Sequence, residues 1–534
     1  VFLSNDLYTT FIFFEVMSFA SYPMVIHNET KEAIDGSNSY LGFAVLGSLV
    51  SLMGLFMLQS ILGTLQIDQL VEAASHVTNH ALLYTAGALT LVGFGVKAGM
   101  YPLHTWLPQA HSVAPAPASA MLSAVITKAG IFGIIVVSCN IFLHDAQWGL
   151  AIVIFGTLSM VTGAVLAVFS NNIKRTLACS SVSQLGFVII GIGMQCMLGE
   201  HNALAVRGTV LHMFNHSLLK LALFMGVGVI YVCMHTFDLN KLRGFGRKKP
   251  VLWFVFGMGL LGLAGVPLFN GYISKTLIHE SIVEYIGMMP TQTVLAGTLQ
   301  TVEALFTFAG GLTLAYMLKL FVAIFIEKNP ENQEKLDAKK KYMSKLTVLI
   351  IAGAILPIIG MLPYWTQDIL ANTAQGFMHG HDPATPVNYF SLINLRGAAA
   401  SIAIGLIVYF LFIRVCLMKK DENGVKVYAD VWPSWLSIEY MIYRPVLLRF
   451  LPFVGALIAR AVYAIGDTVV LLCKKLLFVK SKDVFTPPTD HRFGTYEAPV
   501  KRKRAIPKSL AYSLLLFGVG VVIVMMYLII INVT

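Results

Sequence analysis

"LVGFGVKAGMYPLHTWLPQAHSVAPAPASAMLSAVITKAGIFGIIVV", Leu91 to Val137, is the stretch on which the fold turns. Its apolar runs would suit a lipid bilayer, yet it contains two lysines, two histidines and four prolines. Such residues are costly at membrane depth and persist only where they face a bundle interior, water or a partner. The segment therefore predicts a polytopic membrane protein whose interior does chemistry with charge.

Composition agrees. Of 534 residues, 57% are hydrophobic and 12% charged, against roughly 25% charged in a soluble domain, and the mean hydropathy is +0.74. The formal charge of +11 does not indicate nucleic-acid binding, because the basic residues cluster in loops between apolar runs, as membrane orientation requires. Six cysteines (Cys139, Cys179, Cys196, Cys233, Cys416, Cys473) show no CxxC spacing, so neither a redox centre nor a metal site is indicated. The opening "VFLSNDLYTTFIFFEVMSFASYPMVI" (1–26) reads as the middle of a spanning bundle, and further helices are expected to precede it in the natural protein.

About twelve runs are long enough to cross the hydrocarbon: 7–26, 38–61, 81–105, 116–139, 148–171, 176–197, 203–233, 250–284, 291–326, 342–364, 391–417 and 509–532. Two of them, 81–105 and 250–284, run into Gly and Pro. The basic loops 171–175, 240–249, 327–345, 414–420 and 501–504 all fall on one side of this arrangement, whereas 140–147, 285–290 and 365–390 lack Lys and Arg. The basic side is then cytoplasmic, and both ends of the chain lie outside.

Between the last two runs, "WPSWLSIEYMIYRPVLLRFLPFVGALIARAVYAIGDTVVLLCKKLLF" (432–478) is apolar but interrupted by Arg444, Arg449, Arg460 and Asp467. Both flanks are cytoplasmic, so it crosses twice or not at all. Crossing would bury several arginines, and the segment reads as a lateral amphipathic helix covering roughly 60–70 Å. A re-entrant hairpin is the alternative. The tail to about 505 is a polar linker.

Ionisable residues recur near the middles of the apolar runs: Glu15, Lys97, Lys128, Lys220 and Lys275. In "VLHMFNHSLLKLALF" (210–224), His212, His216 and Lys220 follow one another at spacing four, which confines them to a sector of about 80° on a helix. They form a polar rail, although histidines can equally serve as glue between helices. Lys174, Lys249 and Lys319 lie near helix ends and suit snorkelling to the interface; Lys97, Lys128 and Lys220 sit too deep for that. Linked titratable groups exchange protons when a neighbour's charge changes. The breaks at Pro102 and Pro267 fall in different halves of the chain, and paired interrupted helices point to an ion site built from repeats.

Four stretches, "VKAGMYPLHTWLPQAHSVAPAPASAMLSAVITKAG", "NNIKRTLACSSVSQLGFVIIGIG", "LHMFNHSLLKLALF" and "PLFNGYISK", resemble in order the signatures of an antiporter-like, proton-translocating membrane subunit family. Respiratory complex I, Mrp cation/proton antiporters and membrane-bound NiFe hydrogenases share this family. The resemblance implies an all-α polytopic membrane protein: two inverted five-helix repeats with broken helices, a lateral amphipathic helix and a final transmembrane helix. The corresponding domains are 1–365 for the ion-translocating core, 366–417 for an added loop and helix, 418–505 for the lateral segment and linker, and 506–534 for the last span.

It also implies residue roles. Glu15 and Lys97 would be the charged pair of the first half, Lys128 the lysine of the next helix, His212, His216 and Lys220 the central path, and Lys275 the terminal lysine. His104 and His111 would shape the broken-helix signature together with Pro102 and Pro267. No cofactor or metal is expected in this chain, and no redox chemistry; a peripheral redox arm (ferredoxin, hydrogenase, NADH or quinone module), other antiporter-like and small membrane subunits and membrane lipids are the expected partners. The protein would then be an ion-pumping subunit of the bacterial or archaeal cytoplasmic membrane. A Na⁺/H⁺ antiporter subunit of the Mrp kind and a purely structural scaffold are the alternatives.

Overall fold

The computed structural model describes residues 1–290, 293–329, 333, 336, 347–383, 387–420, 426–433, 437–443 and 445–477. The expected last span at 509–532 and the basic run 501–504 lie outside them. The described chain is helical apart from one small hairpin, Met418–Lys420 against Lys426–Tyr428. Ten described helices are long and apolar enough to cross a membrane, and a bent pair would make an eleventh.

The first half contributes α1 (Leu7–Ile26), α2 (Lys31–Leu62), α3 (His80–Ala98), the short α4 (Trp106–Val113) and α5 (Ala116–Ile141). The second contributes α6 (Ala146–Phe169), α7 (Ile173–Leu198), α8 (Ala203–Met234), α9 (Pro250–Ala264), α10 (Asn270–Gly287) and α11 (Val294–Phe321). α12 (Thr347–Met361), α13 (Pro363–Ala374) and α14 (Leu392–Cys416) follow.

Both expected breaks are present, and they are built alike. α3 ends at Gly99 (φ +66°) and α9 at Gly265 (φ +77°), each in the left-handed region. Gly99 N–H donates to Val96 O and Met100 N–H to Gly95 O; Gly265 N–H donates to Gly262 O and Val266 N–H to Leu261 O. This is a Schellman ending, and only glycine enters it without steric cost. The run 250–284 is therefore two helices, and α10 starts alongside the end of α9, where a Cβ on Gly271 would collide with Gly262 O.

α7 is the axis of the bundle, its side chains buried from Ile173 to Leu198 except Arg175. α6 lies against it on glycines: Gly149, Gly156 and Gly163 recur every seven residues, facing Gly193, Gly186 and Cys179 at the same spacing, and a Cβ on any of the three α6 glycines would meet α7 backbone. Small residues let helix backbones touch where lipid supplies no hydrophobic drive for helix association.

The loops separate by end. At one end, Asn172 and Asp238 form a bridge, Gly244 and Gly246 N–H donate to Ala323 and Ile324 O, and Asn171 and Asn240 both donate to Tyr428 O. This end gathers the basic loops after α6 and α8 and the described parts of those after α11 and α14. At the other end, Gln195 donates to Met378 O, Asn202 to His379 O, and His379 bonds Asn140.

One expectation needs correction at that second end. The stretch 365–390 reads as a loop, but it holds α13, entered from α12 through an 89° bend. Pro363 is tolerated at the first position of α13 because it needs no partner there.

Residues from Ser434 onward form a separate unit. Its described part contains one continuous helix, α15 (Leu451–Leu477). Arg460 and Asp467 lie seven residues apart on one face, with Ile458, Val462, Ile465 and Val469 on the other. The helix also has the length and hydropathy of a span. Its two-faced pattern is that of a boundary helix, and Leu451–Leu477 contains no turn.

Candidate ion path

Four helices, α3, α5, α8 and α10, place the titratable side chains inside the bundle. Lys97, Lys128, His212, His216, Lys220 and Lys275 are each at most 8% exposed. A buried ammonium must find acceptors, and each lysine has done so.

In the first half, Lys97 closes α3 and donates to Tyr40 Oη on α2 at 2.8 Å, with its Nζ 4.5 Å from the Tyr40 ring centroid. Tyr40 in turn bonds Ser21 of α1 and donates to Ser18 O. Glu15, one turn away on α1 and half-buried, accepts from Ser48 of α2. Glu15 and Lys97 thus share one interface but make no direct ion pair among the described residues; tyrosine and serine hydroxyls take the contacts expected of the pair.

Lys128 stands on α5 just past a π-helical turn, Leu122–Ile126. Such a turn interrupts the helical ladder. Lys128 Nζ donates to Ser123 O at 2.6 Å and meets His216 Nδ1 on α8 at 2.9 Å. Gly130, two residues on, packs against the backbone of Ala98, which brings the Lys128 helix against the end of the Lys97 helix.

The rail on α8 is real, and its members turn to different partners. His216 takes Lys128. His212 Nδ1 lies 2.9 Å from Ser274 Oγ on α10, with the two imidazoles parallel at 6.4 Å. Lys220 donates to Leu177 O at 2.7 Å and to Ser180 Oγ on α7. Ser181 also donates to Leu177 O and bonds Ser123 at 2.6 Å, so a serine cluster joins the surroundings of Lys128 and Lys220.

Lys275 lies on α10 near the second break. Its Nζ donates to Leu263 O at 2.7 Å, one of the carbonyls freed at the end of α9, and stands 4.8 Å from the Phe187 ring centroid. A cation at the negative end of a helix dipole is favourable. At the first break Val96 O, the counterpart of Gly262 O, accepts from the Trp106 indole. Pro102 and Pro267 lie within the two breaks. His104 is buried beside Tyr101. His111 is fully buried, neither ring nitrogen has a hydrogen-bond partner among the described residues, and its electrostatic neighbours are Lys128, Lys174 and Lys220.

The snorkelling expectation fails for all three lysines near helix ends. Lys174, Lys249 and Lys319 are buried. Lys319 donates to Ala167, Val168 and Ser170 O at the end of α6, Lys174 to Ala114 O, and Lys249 to Phe245 O and Leu336 O. They close carbonyls left over where backbone stops being helical.

Several buried polar side chains escaped the sequence reading. Asn215 on α8 donates to Asn270 O, to Ser274 Oγ and to Gln367 Oε1 on α13. Next to it, Arg207 pairs with Asp368 at 2.7 Å, and Asp368 also accepts from Tyr389. The signal was in "SSVSQ" (180–184) and "TQDILAN" (366–372), polar residues within otherwise helical sequence. Among the described residues no cluster of three or more His, Cys, Asp or Glu side chains could hold a metal ion.

The family model described as NADH:quinone oxidoreductase/Mrp antiporter, transmembrane, matches residues 4–307. Hydrogenase-4 component B of Escherichia coli (strain K12) is 28% identical over 390 residues, 72% of this chain and 57% of that protein. A Na(+)/H(+) antiporter subunit of Alkalihalophilus pseudofirmus is 30% identical over 362 residues, 67% of this chain and 69% of that one. The chain therefore spans little more than half the length of the first of these. Among solved structures, a chain of the membrane-bound sulfane sulfur reductase, an archaeal respiratory membrane complex, superposes with a TM-score of 0.60 at 23% identity, covering 74% of each chain. That last likeness speaks for the fold alone.

Proposed function

The chain belongs to the NADH:quinone oxidoreductase/Mrp antiporter transmembrane family, and from that premise we propose that it is a non-redox, proton-translocating membrane subunit of a larger redox-driven complex. Glu15, Lys97, Lys128, His216, His212, Lys220 and Lys275 carry the protons, within a core of residues 1–365. Redox chemistry, cofactors and the driving force belong to partner subunits of a hydrogenase-like or complex I-like assembly in the cytoplasmic membrane.

One observation carries this reading. Lys128, His216, His212 and Ser274 form a buried run joining α5 to the second broken helix, with contacts of 2.9 Å at both ends. Charges along such a run cannot accumulate. Two positive imidazoles 6.4 Å apart repel by about 2–3 kcal/mol at an effective dielectric near 20, so protonating one site drives a proton off the next. A charge change at Lys97 then propagates toward Lys275 as a sequence of single hops.

The test uses the intact complex reconstituted in vesicles. Lys220→Ala should abolish redox-coupled acidification, followed by a pH-sensitive dye, while the complex still assembles and turns over. Undiminished proton transfer overturns the proposal, and loss of assembly instead of pumping favours the scaffold alternative. The antiporter relative supports a second reading in which Na⁺ is exchanged for H⁺; turnover that builds a ²²Na⁺ gradient resistant to uncoupler would select it.

A further inference from the structure

The row of buried groups ends at Lys275, but the polar interior does not. Beside its side chain lies a cavity of about 60 Å³, bounded by Gly265, Thr276 and His279 together with Thr307 of α11 and Ser401 of α14. That is room for several waters. A larger cavity of about 340 Å³ lies further along α10, bounded by Glu280, Glu284, Asn388 and Tyr389. The two share Thr276, Glu280, Ile393 and Asn394. From Lys275 to Glu284 the helix rises roughly 13 Å, toward the end of the molecule whose loops carry no Lys or Arg.

His279 stands in the wall of the first cavity. Its Nε2 lies 3.3 Å from Glu303 Oε1 on α11, and its Nδ1 lies 3.6 Å from Glu280 Oε1 on its own helix. Both ring nitrogens therefore face carboxylates, one on each side of the helix–helix interface, and the Phe306 ring flanks the imidazole at 5.7 Å. An imidazole so held can take a proton at one nitrogen and give one from the other.

We propose that His279 is the relay through which protons leave Lys275 for the outer face, with Glu303 orienting the ring and Glu280 receiving the proton. The inference rests on the proton-translocating function proposed above. The Lys275 ammonium gives a proton through cavity water to His279; the imidazolium passes a proton to the Glu280 carboxylate, which releases it to the second cavity. Lys275 is left neutral and is recharged from the His212 side.

The experiment compares His279→Gln, His279→Ala and Lys220→Ala in the reconstituted complex, with Ser401→Cys as a probe of the cavity. Coupled acidification should be lost in His279→Gln while redox turnover persists, and imidazole added on the outer side should restore part of it in His279→Ala. The thiol introduced by Ser401→Cys should react with a membrane-impermeant reagent from the outer side. Full pumping by His279→Gln alongside a dead Lys220→Ala overturns the relay and leaves the functional reading intact; full pumping by Lys220→Ala overturns that reading itself. Failure of imidazole to restore any acidification, or labelling of the introduced thiol from the basic side, counts equally against the relay.

Discussion

At the scale of single residues, the buried lysines invite the objection that they merely hold helices together, and Lys220 separates the two roles. Its acceptors are Leu177 O and Ser180 Oγ, and Ser180 also donates to Leu177 O at 2.8 Å. Removing the ammonium orphans neither. A buried charge exchanged for an apolar side chain of similar volume is neutral or stabilising when no partner is stranded. Lys220→Met should therefore leave the melting temperature of the detergent-solubilised complex no lower than wild type while abolishing coupled acidification, and a marked fall in melting temperature would make Lys220 structural. The histidines at the end whose loops lack Lys and Arg behave otherwise. Burial, and then the neighbouring His381, hold His144 below the ordinary histidine range; burial, and then His144 and His381, do the same for His379. The unfolded chain then binds protons more readily, so stability from these residues is complete above about pH 6.5 and drains as pH falls below it. Acidification should lower the melting temperature of wild type more than that of a His144→Gln/His379→Gln double variant. The lysines and histidines were legible because charge at bilayer depth is rare. Ser123, Ser180, Asn215 and Ser274, which join them, were not, since small polar residues are common wherever membrane helices touch.

Among elements, the broken helices and the α6–α7 pair obey different constraints. Gly265 is fixed by its φ of +77° and by Lys275 Cδ, which a Cβ would approach to 3.2 Å. Gly265→Ala should cost about 1–2 kcal/mol of strain, visible as a lowered melting temperature and weakened pumping in an assembled complex. Gly163 has no such φ, but a Cβ there meets Ser183 N and Cys179 O of α7, which is backbone and cannot rotate away. Gly163→Val should therefore block assembly outright, whereas Gly287→Ala, with open space around it, should be silent on blue native gels. The positions of the breaks were readable from "KAGMYP" and "GVPLFNGYISK", where Gly and Pro interrupt the runs. The overlap of α9 with α10 was not, because it depends on one glycine meeting another helix's carbonyl. α13 was missed for a related reason. Gln367 and Asp368 turn inward to Asn215 and Arg207, so the polar face that suggested a loop faces the bundle instead.

Across the whole molecule, direction depends on which end faces the cytoplasm. The structure gathers the basic loops after α6 and α8, and the described parts of those after α11 and α14, at one end, where Arg243 pairs with Glu327 at 2.8 Å and Arg414 reaches the same carboxylate. The loops without Lys or Arg meet at the other. Among the described residues the order of the runs was legible, although 250–284 is two helices and 342–364 holds only the first part of a bent pair that ends at Met378. If positive charge is retained on the cytoplasmic side, the cavities beyond Lys275 face outward, and the proposed path takes protons up near Lys97 and releases them through α10. The test is a pair of introduced thiols in a Cys416→Ser/Cys473→Ser background. Gln147→Cys, exposed at the start of α6, should react with an impermeant maleimide applied to intact cells. Lys241→Cys, exposed after α8, should react only in inverted vesicles. The reverse pattern would keep every contact described and invert the direction of transport, making the carboxylates around His279 the site of uptake.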